Sequence, residues 1–190
     1  MKKTQAQQVS EMRPSLKEKG EAQMKIAEIL KKMIDFSDGN IHDIGHLIRV
    51  WTYARTIAEL EGLDAETQYI LEVAAITHDI ACPLCREKYG NTNGKHQELE
   101  SPPLVEAFFK GLPVERPDVE RISWLVAHHH TYANIDGPDH QILLEADFLV
   151  NAGESGYTPS AIRNFRERVF RTAAGKELLD SMYLKGAENS

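Results

Sequence analysis

A histidine and an aspartate stand side by side at the end of a strongly apolar stretch of the sequence. His78 and Asp79 directly follow the segment 70–77, in which Glu72 is the only charged residue. Chains keep ionisable side chains out of apolar segments unless the groups are paired or bound to a metal. Imidazole and carboxylate together suit a divalent transition metal. The pair therefore indicates a metal site whose other ligands lie elsewhere in the chain.

Two further ionisable residues interrupt apolar patterns far away in the sequence. His46 lies on or beside the apolar stripe of the segment 42–61, and Asp147 lies inside the apolar segment 141–150. Taken alone, His46 is better interpreted as a core histidine with a hydrogen-bond partner. A buried aspartate is destabilising unless a cation meets it, so Asp147 predicts a positively charged partner.

The elements that carry these residues are predicted to be helices. Apolar residues recur at helical spacing over about 21–36, 42–61, 65–80, 117–130, 141–150 and 174–184, and further helices are predicted to begin at Pro102-Pro103 and at Pro159. Gly62 is predicted to end one helix and Asp64 to cap the next, and a loop is predicted from Cys82 to Lys95. No segment alternates with the period of a strand. The sequence therefore predicts an all-α fold.

The length and the net charge of the chain restrict its domain organisation and the classes of partner that it could bind. A chain of 190 residues that is 42% apolar favours one domain, and we expect a flexible or loosely helical N-terminal arm over 1–20 and the folded domain over 21–190. With 22 basic and 29 acidic residues the net charge is −7, which disfavours a duplex nucleic-acid partner. No secretory signal follows Met1 and no run is long enough to span a bilayer. We therefore expect a cytoplasmic protein without a membrane partner.

The order of the four residues, H…HD…D, resembles the HD superfamily of metal-dependent phosphohydrolases. The flanking residues are similar too: the segments His-Leu-Ile-Arg-Val at 46–50, Ala-Ala-Ile-Thr-His-Asp-Ile at 74–80 and Leu-Glu-Ala-Asp-Phe-Leu at 144–149 resemble the motifs of that family. The resemblance covers about residues 40–151. It implies a single compact helical bundle of the HD-domain type, which agrees with the periodicity.

The resemblance also implies a site and a reaction. His46, His78, Asp79 and Asp147 are expected to bind a divalent ion of Mn, Fe, Co, Ni, Zn or Mg, with His78 and Asp79 as catalytic residues and Asp79 orienting the attacking water. Two imidazoles and two carboxylates leave positions for a water and a substrate oxygen. We therefore expect a phosphomonoesterase or phosphodiesterase that acts on a small phosphorylated substrate, of which a nucleotide is one candidate.

Three more histidines bear on a second metal ion or on the substrate phosphate. His96 follows the predicted loop, and His128 and His129 end the predicted helix 117–130. Some branches of the superfamily hold two ions, and one of these branches comprises diiron oxygenases. One ion is expected in preference to two, in which case these histidines contact phosphate or line the mouth of a cleft. A metal-bearing or nucleotide-binding regulatory domain without turnover is a further alternative.

Arg49 and Lys95 are the candidates for binding the substrate phosphate. Arg49 follows His46 by three residues and so lies on the same helix face. The remaining histidines, His42, His130 and His140, are expected at the surface.

Cys82 and Cys85 form a single C-x-x-C. They lack the second pair of a structural zinc site, so they are expected to be reduced thiols.

Overall fold

The computed structural model describes residues 24–185. Over this range the chain forms nine α-helices and a final π-helical segment. In chain order these are α1 (Ile26–Phe36), α2 (Ile41–Glu61), α3 (Ala65–Thr77), α4 (Cys82–Tyr89), α5 (Gly94–Phe109), α6 (Arg116–His128), α7 (Gly137–Glu154), α8 (Pro159–Val169), α9 (Ala173–Leu179) and the π-helical segment Asp180–Leu184. Residues 24–185 contain no strand, which confirms the all-α prediction. The arm predicted over 1–20 lies outside the described residues.

Helices α3 and α7 form the centre of the bundle. Every residue from Ile70 to Thr77 in α3 and from Asp139 to Val150 in α7 is buried. Helix α2 packs against both, and α6 contacts both from another side. The shared apolar core takes residues from every helix except α4. The histidine and aspartate residues of α2, α3 and α7 are therefore held on elements that pack directly against one another.

The start of α3 is fixed by two local signals that the sequence predicted. Gly62 ends α2 in the left-handed conformation, with φ of 73°. The Asp64 carboxylate then accepts hydrogen bonds from the backbone N–H groups of Glu66 and Thr67, which caps α3. Both predictions are confirmed. Because the start of α3 is fixed, the position of His78 at its other end is fixed as well.

The prediction of a loop from Cys82 to Lys95 is wrong. Residues Cys82–Tyr89 form α4, with Pro83 in the first turn, where the missing N–H of proline has no intrahelical partner to lose. Helix α5 then begins at Gly94 and continues through Pro102 and Pro103, so its predicted start at these prolines is wrong too. Burial of Val105 and of the phenylalanines after it outweighs the backbone hydrogen bonds that the two prolines remove.

Within residues 24–185, no helix combines the length and apolar character that crossing a bilayer requires. The cytoplasmic location stays a prediction.

Candidate metal centre

The four predicted ligands meet at the centre of the bundle. His46 comes from α2, His78 and Asp79 from the end of α3, and Asp147 from the middle of α7. His46 Nε2 lies 3.2 Å from His78 Nε2, 3.5 Å from Asp79 Oδ2 and 3.3 Å from Asp147 Oδ1. His78 Nε2 lies 3.6 Å from both carboxylates. Ligand atoms held about 2.1 Å from one ion are roughly 3–4 Å apart, so the spacing of His46, His78 and Asp79 fits a shared metal, and Asp147 lies within the same range of both imidazoles.

Hydrogen bonds on the outer side of each ring set which nitrogen faces the centre. His78 Nδ1 donates to the backbone oxygen of Ala75 over 2.8 Å, and His46 Nδ1 donates to Glu154 Oε2 over 2.9 Å. Each neutral ring therefore carries its proton on Nδ1 and presents an unprotonated Nε2 inward. Metal-binding histidines are commonly oriented in this way by a carbonyl or carboxylate partner.

A third imidazole, that of His129, belongs to the same cluster. This residue follows α6 and is fully buried, and its Nδ1 donates to the backbone oxygen of Val126 over 2.7 Å. Its Nε2 lies 3.6 Å from Asp79 Oδ1, just beyond normal hydrogen-bonding distance, and has no closer polar partner in the described part of the chain. Buried polar atoms are nearly always satisfied, so this nitrogen indicates a ligand at the centre.

The electrostatics of the cluster favour a positive charge. Burial alone would lower the pKa of His46, but its hydrogen bond to Asp147 and the charges of Asp79 and Asp147 raise the pKa to about 9. Burial alone would raise the pKa of Asp147, but the His46 and His78 imidazoles hold it below its ordinary value. When no metal is bound, a proton on His46 therefore lies between the His78 imidazole and the carboxylates of Asp79 and Asp147. Without this proton the electron pairs of these groups would repel one another. The donor set fits a divalent cation.

Glu154 is a site residue that the sequence analysis missed. One carboxylate oxygen accepts from His46 Nδ1, and the other accepts from the Arg49 guanidinium. Arg49, predicted to bind substrate phosphate, thus contacts the carboxylate that orients His46, and its side chain is 49% exposed. Glu154 follows Asp147 by seven residues, two helical turns along the same face of α7, and this spacing is the signal that could have identified it.

The other predicted residues lie away from the cluster. The ring of His96 stacks on Tyr89 and that of His128 stacks on Trp124, with centroids 3.9 and 4.2 Å apart. No contact within residues 24–185 joins either histidine to the four ligands, and the exposed Lys95 makes no such contact either. Of the three additional histidines that the sequence proposed, the structure brings His129 to the centre.

A cleft of about 210 Å³ connects the centre with solvent. Besides His46, Asp79 and Asp147, its described lining consists of side chains with a polar or thiol group: His42, Asp43, Cys82, Arg86, Thr92, Gln97, His130, Asn151 and Glu154. Arg86 is the only lysine or arginine among these residues, and its guanidinium pairs with the Asp43 carboxylate.

The surface predictions for two histidines are wrong. His130 is half-buried in the cleft wall, where burial and the neighbouring His129 lower its pKa to about 4. His140 is fully buried: its Nδ1 accepts from the backbone N–H of Asp136, and its Nε2 donates to the backbone oxygen of His128. His130 lies in the turn that follows α6, and His140 contacts the last residue of that helix, so the end of α6 holds both rings inside, which the sequence pattern did not predict. His42 is exposed, as predicted, at the mouth of the cleft.

Comparison with known proteins agrees with this architecture. The family model of the HD domain matches residues 43–163, which is more than half of the chain. The crystal structure of a predicted HD superfamily hydrolase from an uncultured Thermotogales bacterium superposes with a TM-score of 0.59 and 22% sequence identity, covering 97% of this chain and 94% of that one. At 22% sequence identity, this similarity shows that the two proteins share a fold. No curated protein matches the chain significantly.

Proposed function

The chain belongs to the HD domain family, a superfamily of metal-dependent hydrolases, and on that premise we propose that it is a phosphohydrolase of small phosphoesters. One observation carries the proposal: the Nε2 atoms of two imidazoles lie 3.2 Å from each other and 3.3–3.6 Å from two carboxylates, at the inner end of an open cleft. A buried cluster of this composition is destabilising for the fold alone, and it suits a metal-activated water.

The proposed ligands are His46, His78, Asp79 and Asp147, holding one divalent ion. When bound, such an ion lowers the pKa of a coordinated water and draws charge from phosphoryl oxygens. Mn, Fe, Co, Ni, Zn and Mg all accept nitrogen and oxygen ligands to some degree, so the metal is best identified by analysis.

Asp79 is the ligand best placed to act on the water. Its side chain is 24% exposed, against 6% or less for the three other ligands, so it borders the cleft. We assign it the role of orienting the water and accepting its proton. The water oxygen bonds to phosphorus as the ester bond breaks, and the leaving alcohol takes up a proton at the solvent-facing mouth.

Arg86 is proposed as the side chain that meets the substrate phosphate. Its guanidinium lies in the cleft lining, is 41% exposed and faces one carboxylate, that of Asp43. A phosphate can accept the same paired hydrogen bonds that this carboxylate now accepts. Arg49 and Lys95 are less suited, since neither is among the residues that line the cleft.

The test is phosphate release by protein purified without chelator, assayed for metal content and then loaded with each candidate metal in turn. We expect hydrolysis of p-nitrophenyl phosphate or bis-p-nitrophenyl phosphate, with a loss of about 100-fold or more in Asp79→Ala. Asp35→Ala is the matched control, because this exposed carboxylate on α1 pairs with Lys31 far from the cleft. Metal-loaded protein that releases phosphate from neither compound would remove the proposal.

A second metal ion is the alternative that one observation favours. His129 Nε2 faces Asp79 Oδ1, whereas His46 and His78 face Oδ2 of the same carboxylate. Asp79 and His129 would together hold a second iron, and two irons are what a diiron oxygenase requires. That reading requires about two irons per chain and consumption of dioxygen, and a count of one metal per chain excludes it.

A further inference from the structure

His130 lies in the wall of the cleft and has no role among the proposed metal ligands. It directly follows His129, and the centroids of the two rings are 3.9 Å apart. Its side chain shares the lining of the cleft with Asp79 and Asp147. A phosphate bound at the metal ligands would lie in this cleft, so the His130 ring is close to the place where the reaction is proposed to occur.

The side-chain amide of Gln97 determines which nitrogen of the His130 ring carries the proton. The amide nitrogen donates to the backbone oxygen of Thr92 over 3.1 Å and lies 3.3 Å from His130 Nε2. Because the Thr92 carbonyl can only accept, the orientation of the amide is determined, and its second hydrogen is available to Nε2. Nε2 therefore accepts this hydrogen bond, and the proton of the neutral ring is on Nδ1.

A close approach by the first turn of α5 fixes the position of the same ring. A Cβ atom at Gly94 would lie 2.7 Å from Cδ2 and 2.8 Å from Cγ of His130, closer than carbon atoms pack. Gly94 does not have a positive φ, so the contact with the ring, and not the backbone conformation, is what favours glycine here. Gly94 and Gln97 therefore hold the His130 ring by two separate contacts.

The protonated nitrogen of His130, Nδ1, is left without a partner. No residue among 24–185 hydrogen-bonds it, and it is accessible to solvent, unlike Nε2 of His129. Since the side chain lines the cleft, the ring offers an oriented N–H donor there. Thr92 and Asn151 also line the cleft, but no described residue hydrogen-bonds either side chain, so nothing fixes the direction of their donors.

The charges in the cleft make such a donor useful for a phosphoester. The described lining contains four carboxylates, those of Asp43, Asp79, Asp147 and Glu154, and one guanidinium, that of Arg86. Phosphoryl oxygens carry negative charge and need donors between these carboxylates. A donor that is held in place before the substrate binds stabilises an anion without reorganisation during the reaction. A neutral histidine can act on a substrate oxygen in this way.

We propose that His130 is a catalytic residue that donates a hydrogen bond from Nδ1 to a phosphoryl oxygen of the substrate, and that Gln97 positions it. This inference rests on the proposed phosphohydrolase function and adds a donor to that site. The proton stays on Nδ1 throughout, because the hydrogen bond stabilises charge and transfers no proton.

The first experiment measures phosphate release from p-nitrophenyl phosphate by metal-loaded variants. His130→Phe keeps a flat ring and removes the donor, so kcat/KM should fall about 100-fold. In His130→Asn, the amide nitrogen can take the place of Nδ1, so most of this loss should be recovered. His96→Phe is the matched control, because it makes the same change in a ring that stacks on Tyr89 outside the cleft.

Each outcome of this experiment separates the inference from the proposed function. Wild-type activity in His130→Phe, or equal losses in His130→Phe and His130→Asn, overturns the inference and leaves the phosphohydrolase proposal standing. No release by the wild-type protein overturns both. Thermal melting identifies a variant that does not fold, and His130→Ala then takes the place of His130→Phe.

The second experiment tests whether Gln97 acts through His130. Gln97→Met keeps the length of the side chain and removes the donor to Nε2, so kcat/KM should fall about tenfold. The same change in the His130→Phe protein should lower kcat/KM by less than about twofold, because the ring that Gln97 positions is already absent. Gln68→Met is the matched control, since the Gln68 amide donates to Glu72 outside the cleft. Losses that multiply in the double variant overturn the positioning role.

A third measurement does not depend on turnover. A long-range ¹⁵N–¹H spectrum of the metal-free protein reports which ring nitrogen of each histidine carries the proton, and the signals missing in His130→Phe assign this ring. We expect the proton on Nδ1, and a proton on Nε2 overturns the inference. Inorganic phosphate added to the zinc-loaded protein should shift the His130 Nδ1 signal more than the ring signals of His96. An unchanged His130 signal contradicts the inference.

Discussion

Glu154 provides a test of how far the metal site depends on residues that do not bind the metal. Its carboxylate joins two groups of α2 to the end of α7: Oε2 accepts from His46 Nδ1 over 2.9 Å, and Oε1 accepts from Arg49. Glu154 is 17% exposed at its side chain, so water competes weakly for these bonds. The carboxylate therefore sets both the orientation of the His46 ring and the nitrogen that carries its proton.

Glu154→Gln keeps the size of the side chain and removes one acceptor. The amide has one oxygen for two donors, so it cannot satisfy His46 and Arg49 together. If the oxygen faces Arg49, the amide nitrogen faces His46 Nδ1 and favours the tautomer with a proton on Nε2, which blocks coordination. If the oxygen faces His46, the amide nitrogen and the guanidinium meet donor to donor. Both arrangements weaken the site.

We expect metal affinity to fall about 10–100-fold, the range found when an outer partner of a ligating histidine is removed. This corresponds to about 1.4–2.7 kcal/mol of binding free energy. The assay is competition between the protein and a chromophoric chelator for Mn²⁺ or Zn²⁺. Glu59→Gln is the matched control: this exposed glutamate of α2 also pairs with an arginine, Arg55, and should leave the dissociation constant unchanged within about twofold.

The ¹⁵N shifts of the His46 ring add an independent readout, because they report which nitrogen carries the proton. In the metal-loaded wild-type protein Nδ1 should be the protonated nitrogen. A Glu154→Gln variant with wild-type affinity and an unaltered ring would refute the argument, because the carboxylate would then contribute packing only.

Four further expectations follow from the same contacts. His129→Gln should weaken metal binding or phosphate release by about tenfold or more, whereas His128→Gln, next to it, should change either by less than about twofold, as measured by metal titration and turnover. Saturating metal at about 100 times its dissociation constant should stabilise the protein by about 2.7 kcal/mol, which raises Tm by about 5–10 °C. Asp147→Ala should remove that shift, and a full shift in the variant would contradict the ligand set. Burial lowers the pKa of His140 below 6.5, so the unfolded chain takes up this proton first as pH falls. The contribution of His140 to the free energy of unfolding should therefore be largest above about pH 6.5 and decline toward pH 5, so urea denaturation should show a smaller loss of stability over this range in His140→Gln than in the wild-type protein.

The convergence of the candidate ligands could be predicted from the sequence because each lies inside, or directly after, a long helix with a strongly apolar face. The apolar positions around His46 and Asp147 establish which face of the helix is buried, so an ionisable residue on that face stands out. The burial of His78 could be inferred in the same way, since the eight residues before it are all buried. Where a pattern is this strong, burial can be inferred without knowing the fold.

The same reasoning could not choose among His128, His129 and His130. Successive residues of a helix point about 100° apart, and α6 ends within this triplet, so its periodicity no longer determines the direction of each ring. Only the packing of α6 against α3 and α7 turns His129 inward. Glu154 was missed for a related reason, because a glutamate in the last turn of a helix looks like a solvent-exposed residue until α2 is placed beside it.

The metal site depends on how the helices pack, whereas the packing of the helices should not depend on the ligand side chains. The ligands come from helices separated by up to about a hundred residues, and their atoms lie within hydrogen-bonding range at the point where α2, α3 and α7 meet. Replacing these side chains by apolar ones would remove buried carboxylates that need a cation, so such variants should fold at least as stably as the metal-free protein. The buried charges are therefore explained by binding a cation and not by the stability of the core. Variants that lose the metal while keeping or raising the stability of the metal-free form would support this view, and a general collapse of the fold in Asp147→Leu would contradict it.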